Sequence, residues 1–167
     1  MFRGYKIIGL CLSRIQEPAS YEFISELNKR IKGTEYRLFV YNSCADLSLP
    51  ESENSGQAKV YDMIDYDVVD VLLVYEDRVR NDVVNERIIN TALDHEVPVV
   101  IIGQKRVPGC ITMDYDHEVG IEKVIRHVID DCGKTKLHFM SGTIDSPYSH
   151  IRNESFKKVL AEKNMPF

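Results

Sequence analysis

No two cysteines in this 167-residue sequence are spaced as C-x-x-C: Cys11, Cys44, Cys110 and Cys132 lie far apart. The five histidines, at positions 95, 117, 127, 138 and 150, form no H-E-x-x-H and stand at no metal-ligand spacing. No metal site is expected, and the thiols read as buried or incidental in a reducing compartment. Clustered basic charge is absent as well. The net charge is -5 and the 21 Lys and Arg are scattered, the densest pairs being Arg78 with Arg80 and Lys157 with Lys158. Nucleic-acid binding requires a basic patch, so no direct contact of this segment with nucleic acid is expected. There is no apolar run long enough to span a bilayer and no charged-then-apolar leader at the start, which points to a soluble, cytoplasmic chain.

Glycine is missing where nucleotide enzymes need it. A dinucleotide site wants G-x-G-x-x-G after the first strand so that backbone can approach the pyrophosphate, but that loop reads Ser13-Arg-Ile-Gln-Glu-Pro18. Neither a P-loop nor a G-x-S-x-G elbow occurs. A phospho-acceptor receiver would need acidic residues ending the first strand, where Leu10-Cys-Leu-Ser13 stands, although Glu76 and Asp77 follow the third. A Ser-His-Asp set can be written from Ser141, His117 and Asp114, but any chain of this size offers such combinations. No catalytic residue and no cofactor is expected.

What is present is an alternation. With 44% hydrophobic residues the chain can bury a core. Residues 5–12, 36–41, 68–75, 99–102, 110–114 and 137–140 read as strands, several of them continuous apolar runs of the kind covered on both faces. Between them lie amphipathic stretches: Tyr21, Ile24, Leu27, Asn28 and Ile31 after Pro18; a helix around Ala58, Tyr61, Met63 and Ile64; then Val83, Val84, Ile88, Ile89, Ala92 and Leu93. Val119, Val124, Ile125, Val128 and Ile129 follow Asp116 as N-cap, and Phe156, Val159 and Leu160 follow Asp145-Ser-Pro147. Residues 42–57 read as one long polar loop. Strand and helix in alternation predict an α/β fold with a doubly wound parallel sheet, whose ligands bind beyond the carboxyl ends of the strands. Ser13, Tyr75 and Gln104 stand at three of those ends.

The last third carries the most specific pattern. Met113-Asp-Tyr115, Gly120, Val124-Ile-Arg-His-Val-Ile129, Gly133-Lys134, His138-Phe-Met-Ser-Gly142, Asp145-Ser-Pro147, Arg152 and Phe156-Lys-Lys-Val-Leu160 resemble the effector-binding region of the lactose-repressor and ribose-binding-protein superfamily. Val159 stands where that family's closing helix has alanine. Pro18, Asn42-Ser43 and Val69-Asp70-Val71 extend the resemblance, more weakly, over the rest of the chain.

The resemblance implies a two-lobed, non-enzymatic, periplasmic-binding-protein-like module that closes a cleft on a small-molecule effector such as a sugar and forms a homodimer. It implies a first lobe at 1–109, a crossover or hinge at 110–116 and the beginning of a second α/β lobe at 117–167. Asp114 matches the crossover aspartate and Arg152 the arginine that binds ligand hydroxyls or carboxylate, with Asp145 and Tyr148 lining the same side. Family members carry aromatic residues after the first-loop proline and an Asp-Arg pair after the fourth strand; here Ala19-Ser20 and Gly103-Gln104 hold those places, leaving Tyr21 and Tyr75 as replacement aromatic surface. No helix-turn-helix precedes the first strand. The family's second lobe needs roughly 100 further residues, so the natural continuation is expected to hold the rest of the sensor and an output domain. Two other readings stay open: a pocketless dimerisation or regulatory domain at the N-terminus of a signalling protein such as a diguanylate cyclase, and a small doubly wound enzyme.

Overall fold

The computed structural model describes residues 4–45, 51–79, 81–142 and 146–166. The chain divides into two compact units, Met1–Asp114 and Tyr115–Phe167.

The first unit is a five-stranded, all-parallel sheet in the order β2-β1-β3-β4-β5. Its strands are β1 (Lys6–Ser13), β2 (Tyr36–Ser43), β3 (Val71–Tyr75), β4 (Val99–Ile102) and β5 (Ile111–Met113). Every residue of β1 after Lys6 is buried, because the strand lies between β2 and β3 and is covered on both faces. Its side chains alternate accordingly. Ile7 and Cys11 join Leu72, Val74, Val99 and Ile101 in one core, with Ile88, Ile89 and Ala92 of α4 (Asp82–Asp94) and Tyr61 closing it. Leu10 and Leu12 point the other way, onto Ile24 and Phe23 of α1 (Pro18–Ile31). The continuous apolar run thus records two cores rather than one.

Two short helices fall where loops are expected. Helix α2 (Glu51–Gln57) runs directly into a 3₁₀ turn, Ala58–Met63. Its sequence, Glu-Ser-Glu-Asn-Ser-Gly-Gln, is polar on every face, so no apolar period marks it. Helix α3 (Glu76–Val79) is a single turn that begins as β3 ends. Within the expected stripes, Tyr21 and Val83 face solvent, at 65% and 76% exposure.

The second unit rests on α5 (His117–Arg126), which continues into a π-helical turn at His127–Asp131, and on α6 (Pro147–Glu162). As the sequence predicts, Asp116 Oδ1 accepts from Val119 N at 2.9 Å, and Ser146 caps α6 with Pro147 at its first position. The core is Ile125, Phe156, Val159 and Leu160, joined by Ile121, Ile129, Leu137 and Phe139. The inward stripe of α5 and its π turn is therefore 121, 125 and 129, while Val119 and Val124 are exposed. An ion-pair seam flanks this core. Lys158 Nζ reaches Glu122 (2.6 Å) and Glu118 (3.0 Å), Arg126 reaches Glu162 (2.5 Å), and Lys163 reaches Asp130 (2.6 Å). Solvent screens pairs of this kind, so apolar burial holds the helices together.

The sixth strand expected at 137–140 does not form. Leu137 and Phe139 turn inward and His138 and Met140 outward, so the two-residue alternation is real, and Phe139 stacks on Phe156 at 5.1 Å. Among the described residues the segment has no neighbouring strand, and an extended backbone is a strand only when a ladder pairs it.

The thiols fall into two kinds. Cys11 is buried and Cys110 partly so, whereas Cys44 and Cys132 are exposed. No helix among the described residues is long and apolar enough to cross a membrane.

Candidate functional site

In the first unit, the strand order reverses between β1 and β3, which is where open parallel sheets bind ligands. Here the protein's own groups occupy that end. The Ser13 hydroxyl donates to the Arg78 carbonyl, and Ser13 is 1% exposed. Glu17 takes the Arg78 guanidinium on one carboxylate oxygen and Arg14 Nε on the other, the latter at 3.1 Å. Tyr75 packs edge-on against Phe23 at 5.4 Å, with the Arg78 guanidinium 5.7 Å from its ring centre. Behind them the buried Tyr61 hydroxyl donates to the Leu12 carbonyl at 2.8 Å and bonds the Ser43 hydroxyl at 3.2 Å. Burial drives the Tyr61 phenol well above its ordinary range.

At the end of β4 the backbone turns on Gly103, with φ +151°. The Glu76 side chain lies against that glycine, and its Oε2 accepts from Lys105 N at 2.9 Å. Lys105 Nζ pairs with Glu86 at 2.9 Å, which raises the lysine's pKa. Gln104 is half-buried between these two anchors.

The second unit gathers a different set. His117, at the start of α5, meets Tyr148 of α6 edge-on at 4.7 Å and Tyr115 at 6.1 Å. An Arg152 guanidinium nitrogen lies 3.3 Å from His117 Nδ1, and the guanidinium carbon is 5.9 Å from the Tyr148 ring centre. Arginine can only donate, so Nδ1 is the acceptor and the neutral imidazole carries its proton on Nε2. The cluster therefore presents N–H donors and amphipathic rings beside the N-termini of two helices. That combination suits a carboxylate, a phosphate or a set of hydroxyls.

Of the residues singled out in the sequence, Arg152 and Tyr148 come together here. Asp114 is exposed directly after β5 and ends the first unit. Asp145 lies outside the described residues. Tyr21 is exposed on α1, while Ser13 and Tyr75 belong to the internal network at the switch point. His117 and Tyr115 were not singled out as ligand residues; the signal was their place on either side of the Asp116 cap, opposite Arg152. The Ser141 hydroxyl donates to the Gly142 carbonyl at 3.3 Å, and His117 Nδ1 is taken by Arg152. Among the described residues no group of three or more His, Cys, Asp or Glu could hold a metal ion.

No family model matches the chain, and no curated protein sequence matches it. Solved structures do. A periplasmic binding protein/LacI transcriptional regulator from Alkaliphilus metalliredigens, complexed with D-xylulofuranose, superposes with a TM-score of 0.64 at 20% identity, over 96% of this chain and 54% of that one. A dimeric lac repressor with an 11-residue C-terminal deletion gives 0.68 at 13% identity, over 96% and 55%. The Escherichia coli transcriptional repressor ascG gives 0.64 at 18%, over 97% and 56%. The chain spans about half the length of each, 54–56%. The parallel sheet with its flanking helices thus has the periplasmic-binding-protein-like fold of LacI-type regulatory domains.

Proposed function

We propose that this chain is a non-enzymatic, effector-binding part of a cytoplasmic signalling or transcription regulator, and that it takes a small polar molecule such as a sugar. The observation that carries this reading is the cluster of Arg152, His117, Tyr148 and Tyr115. Its donors and ring faces are the chemistry with which proteins hold hydroxylated or anionic ligands. Arg152 and Tyr148 are the proposed ligand contacts, and Asp114 is proposed as an acceptor. A lac repressor of this fold is dimeric, and a homodimer is proposed here too.

The test is calorimetric titration of the chain with a panel of pentoses, hexoses, sugar phosphates and nucleobases. Binding by one class, weakened at least about tenfold in Arg152→Lys because the planar fork is lost, supports the proposal. Binding that Arg152→Lys leaves untouched places the ligand elsewhere and overturns the site.

One observation favours a second reading, a pocketless regulatory or dimerisation domain. In the first unit the switch-point end is filled by Arg14, Glu17 and Arg78. No response to any ligand, together with a dimer by sedimentation, would favour that reading.

A further inference from the structure

The π turn that follows α5 does something an α-helix cannot. In an α-helix residue i+5 sits about 140° around the axis from residue i. Here the Cys132 amide bonds the His127 carbonyl at 3.1 Å, an i to i+5 closure, and this swings the cysteine back over the histidine. Cys132 Sγ lies 3.7 Å from His127 Nε2, and His127 Nδ1 lies 2.7 Å from Asp131 Oδ2. An ionised carboxylate can only accept, so Nδ1 donates to Asp131 and the lone pair of Nε2 faces the thiol. Of the neighbouring charges, Asp130 pairs with Lys163 at 2.6 Å and Arg126 with Glu122 and Glu162.

We propose that Cys132 is a reactive thiol, with His127 as its proton acceptor and Asp131 orienting the imidazole, and that it undergoes exchange with low-molecular-weight disulfides. The cysteine, histidine and aspartate are all exposed, so a small co-reactant can reach the sulfur, and no shaped substrate site is required. The step balances. The thiol proton passes to His127 Nε2, and the sulfur attacks one sulfur of the disulfide. A mixed disulfide forms, the original S–S bond breaks, and the departing thiolate takes the proton from the imidazolium. The other cysteines lack this arrangement. Cys11 is fully buried and Cys110 partly, and burial raises both thiols above their ordinary range. Cys44 is exposed with no imidazole contact among the described residues, which makes it an internal control.

The experiment is reaction of the chain with oxidised glutathione near neutral pH, followed by peptide mapping of the mixed disulfides over time. Cys132 should be modified about tenfold faster than Cys44, and His127→Gln should remove that advantage while leaving the Cys44 rate unchanged. Asp131→Ala should slow Cys132 and Asp131→Glu should restore part of the rate, a rescue that a purely structural aspartate would not give. All three substitutions lie on the surface, and unchanged far-ultraviolet dichroism verifies the fold. Equal rates at Cys132 and Cys44 in the unaltered protein, or a Cys132 rate that His127→Gln does not change, overturn the proposal.

Discussion

Replacing Gly103 with alanine tests how the carboxyl end of the sheet is built. The added Cβ would overlap Glu76 Oε2 and lie 2.9 Å from Glu76 Cβ, a distance that real Cβ atoms do not tolerate. The backbone at φ +151° is sparsely populated by residues with a side chain, which costs about 1–2 kcal/mol. Relief requires Glu76 to swing away and give up its 2.9 Å bond from Lys105 N, worth about 1 kcal/mol at a half-buried position. Together these terms predict a loss of roughly 2–3 kcal/mol. Gly33 is the matched control: its φ is +82° and nothing lies within 4 Å of the position a Cβ would take, so Gly33→Ala should cost only the backbone term of about 1–2 kcal/mol. Urea unfolding followed by far-ultraviolet dichroism gives both values, with unchanged m showing that the denatured state is not the cause. If Gly103→Ala costs no more than Gly33→Ala, Glu76 is not packed over the glycine and this account of the β4 end is wrong.

Tyr61→Phe should lower stability by about 1–3 kcal/mol, because the buried Leu12 carbonyl loses the Tyr61 hydroxyl and the Ser43 hydroxyl is left with the Ala45 amide at 3.4 Å; a urea midpoint equal to that of the unaltered chain would show that other groups satisfy them. Asp116→Ala should cost about 1 kcal/mol and expose the first-turn amides of α5 to hydrogen exchange, whereas Asp116→Asn should retain most of the cap. Acid should loosen the α5–α6 pair. Lys158, and after it Arg126, hold the Glu122 carboxyl below its ordinary value, so its contribution is complete above a pH of roughly 4.3 and is lost as pH falls through the lower folded value. Hydrogen exchange of α5 and α6 across that window should show the loss in the unaltered chain and a smaller one in Glu122→Gln.

The parallel sheet was legible because both sides of it are covered. Two cores on opposite faces of β1 leave an apolar run that needs no partner to be recognised. The caps Asp116 and Ser146 were legible for a related reason, since a cap is chemistry between residues three apart. Features made by distance or by unusual backbone were not. Glu17 meets Arg78 across 61 positions, and nothing in either local sequence announces the other. The stretch 137–140 has the alternation of a strand, but pairing is a property of the neighbour and not of the segment. His127 and Cys132 share no face at α-helical spacing; only the π turn makes them neighbours. In the candidate site, Arg152 and Tyr148 stand one helical turn apart and could be read together, while His117 joins them from 35 positions away.

The extended segment at 137–140 has a colloidal consequence. Its inward residues Leu137 and Phe139 anchor it to the helices, while its peptide groups find no ladder among the described residues and Met140 stands 96% exposed. Unpaired peptide groups beside an anchored apolar alternation offer hydrogen bonds to another chain, so crowding should promote edge-to-edge association, which light scattering against concentration checks. A lysine at position 138 or 140 would interrupt such association without touching the packed face, and would raise the concentration at which the protein stays in solution.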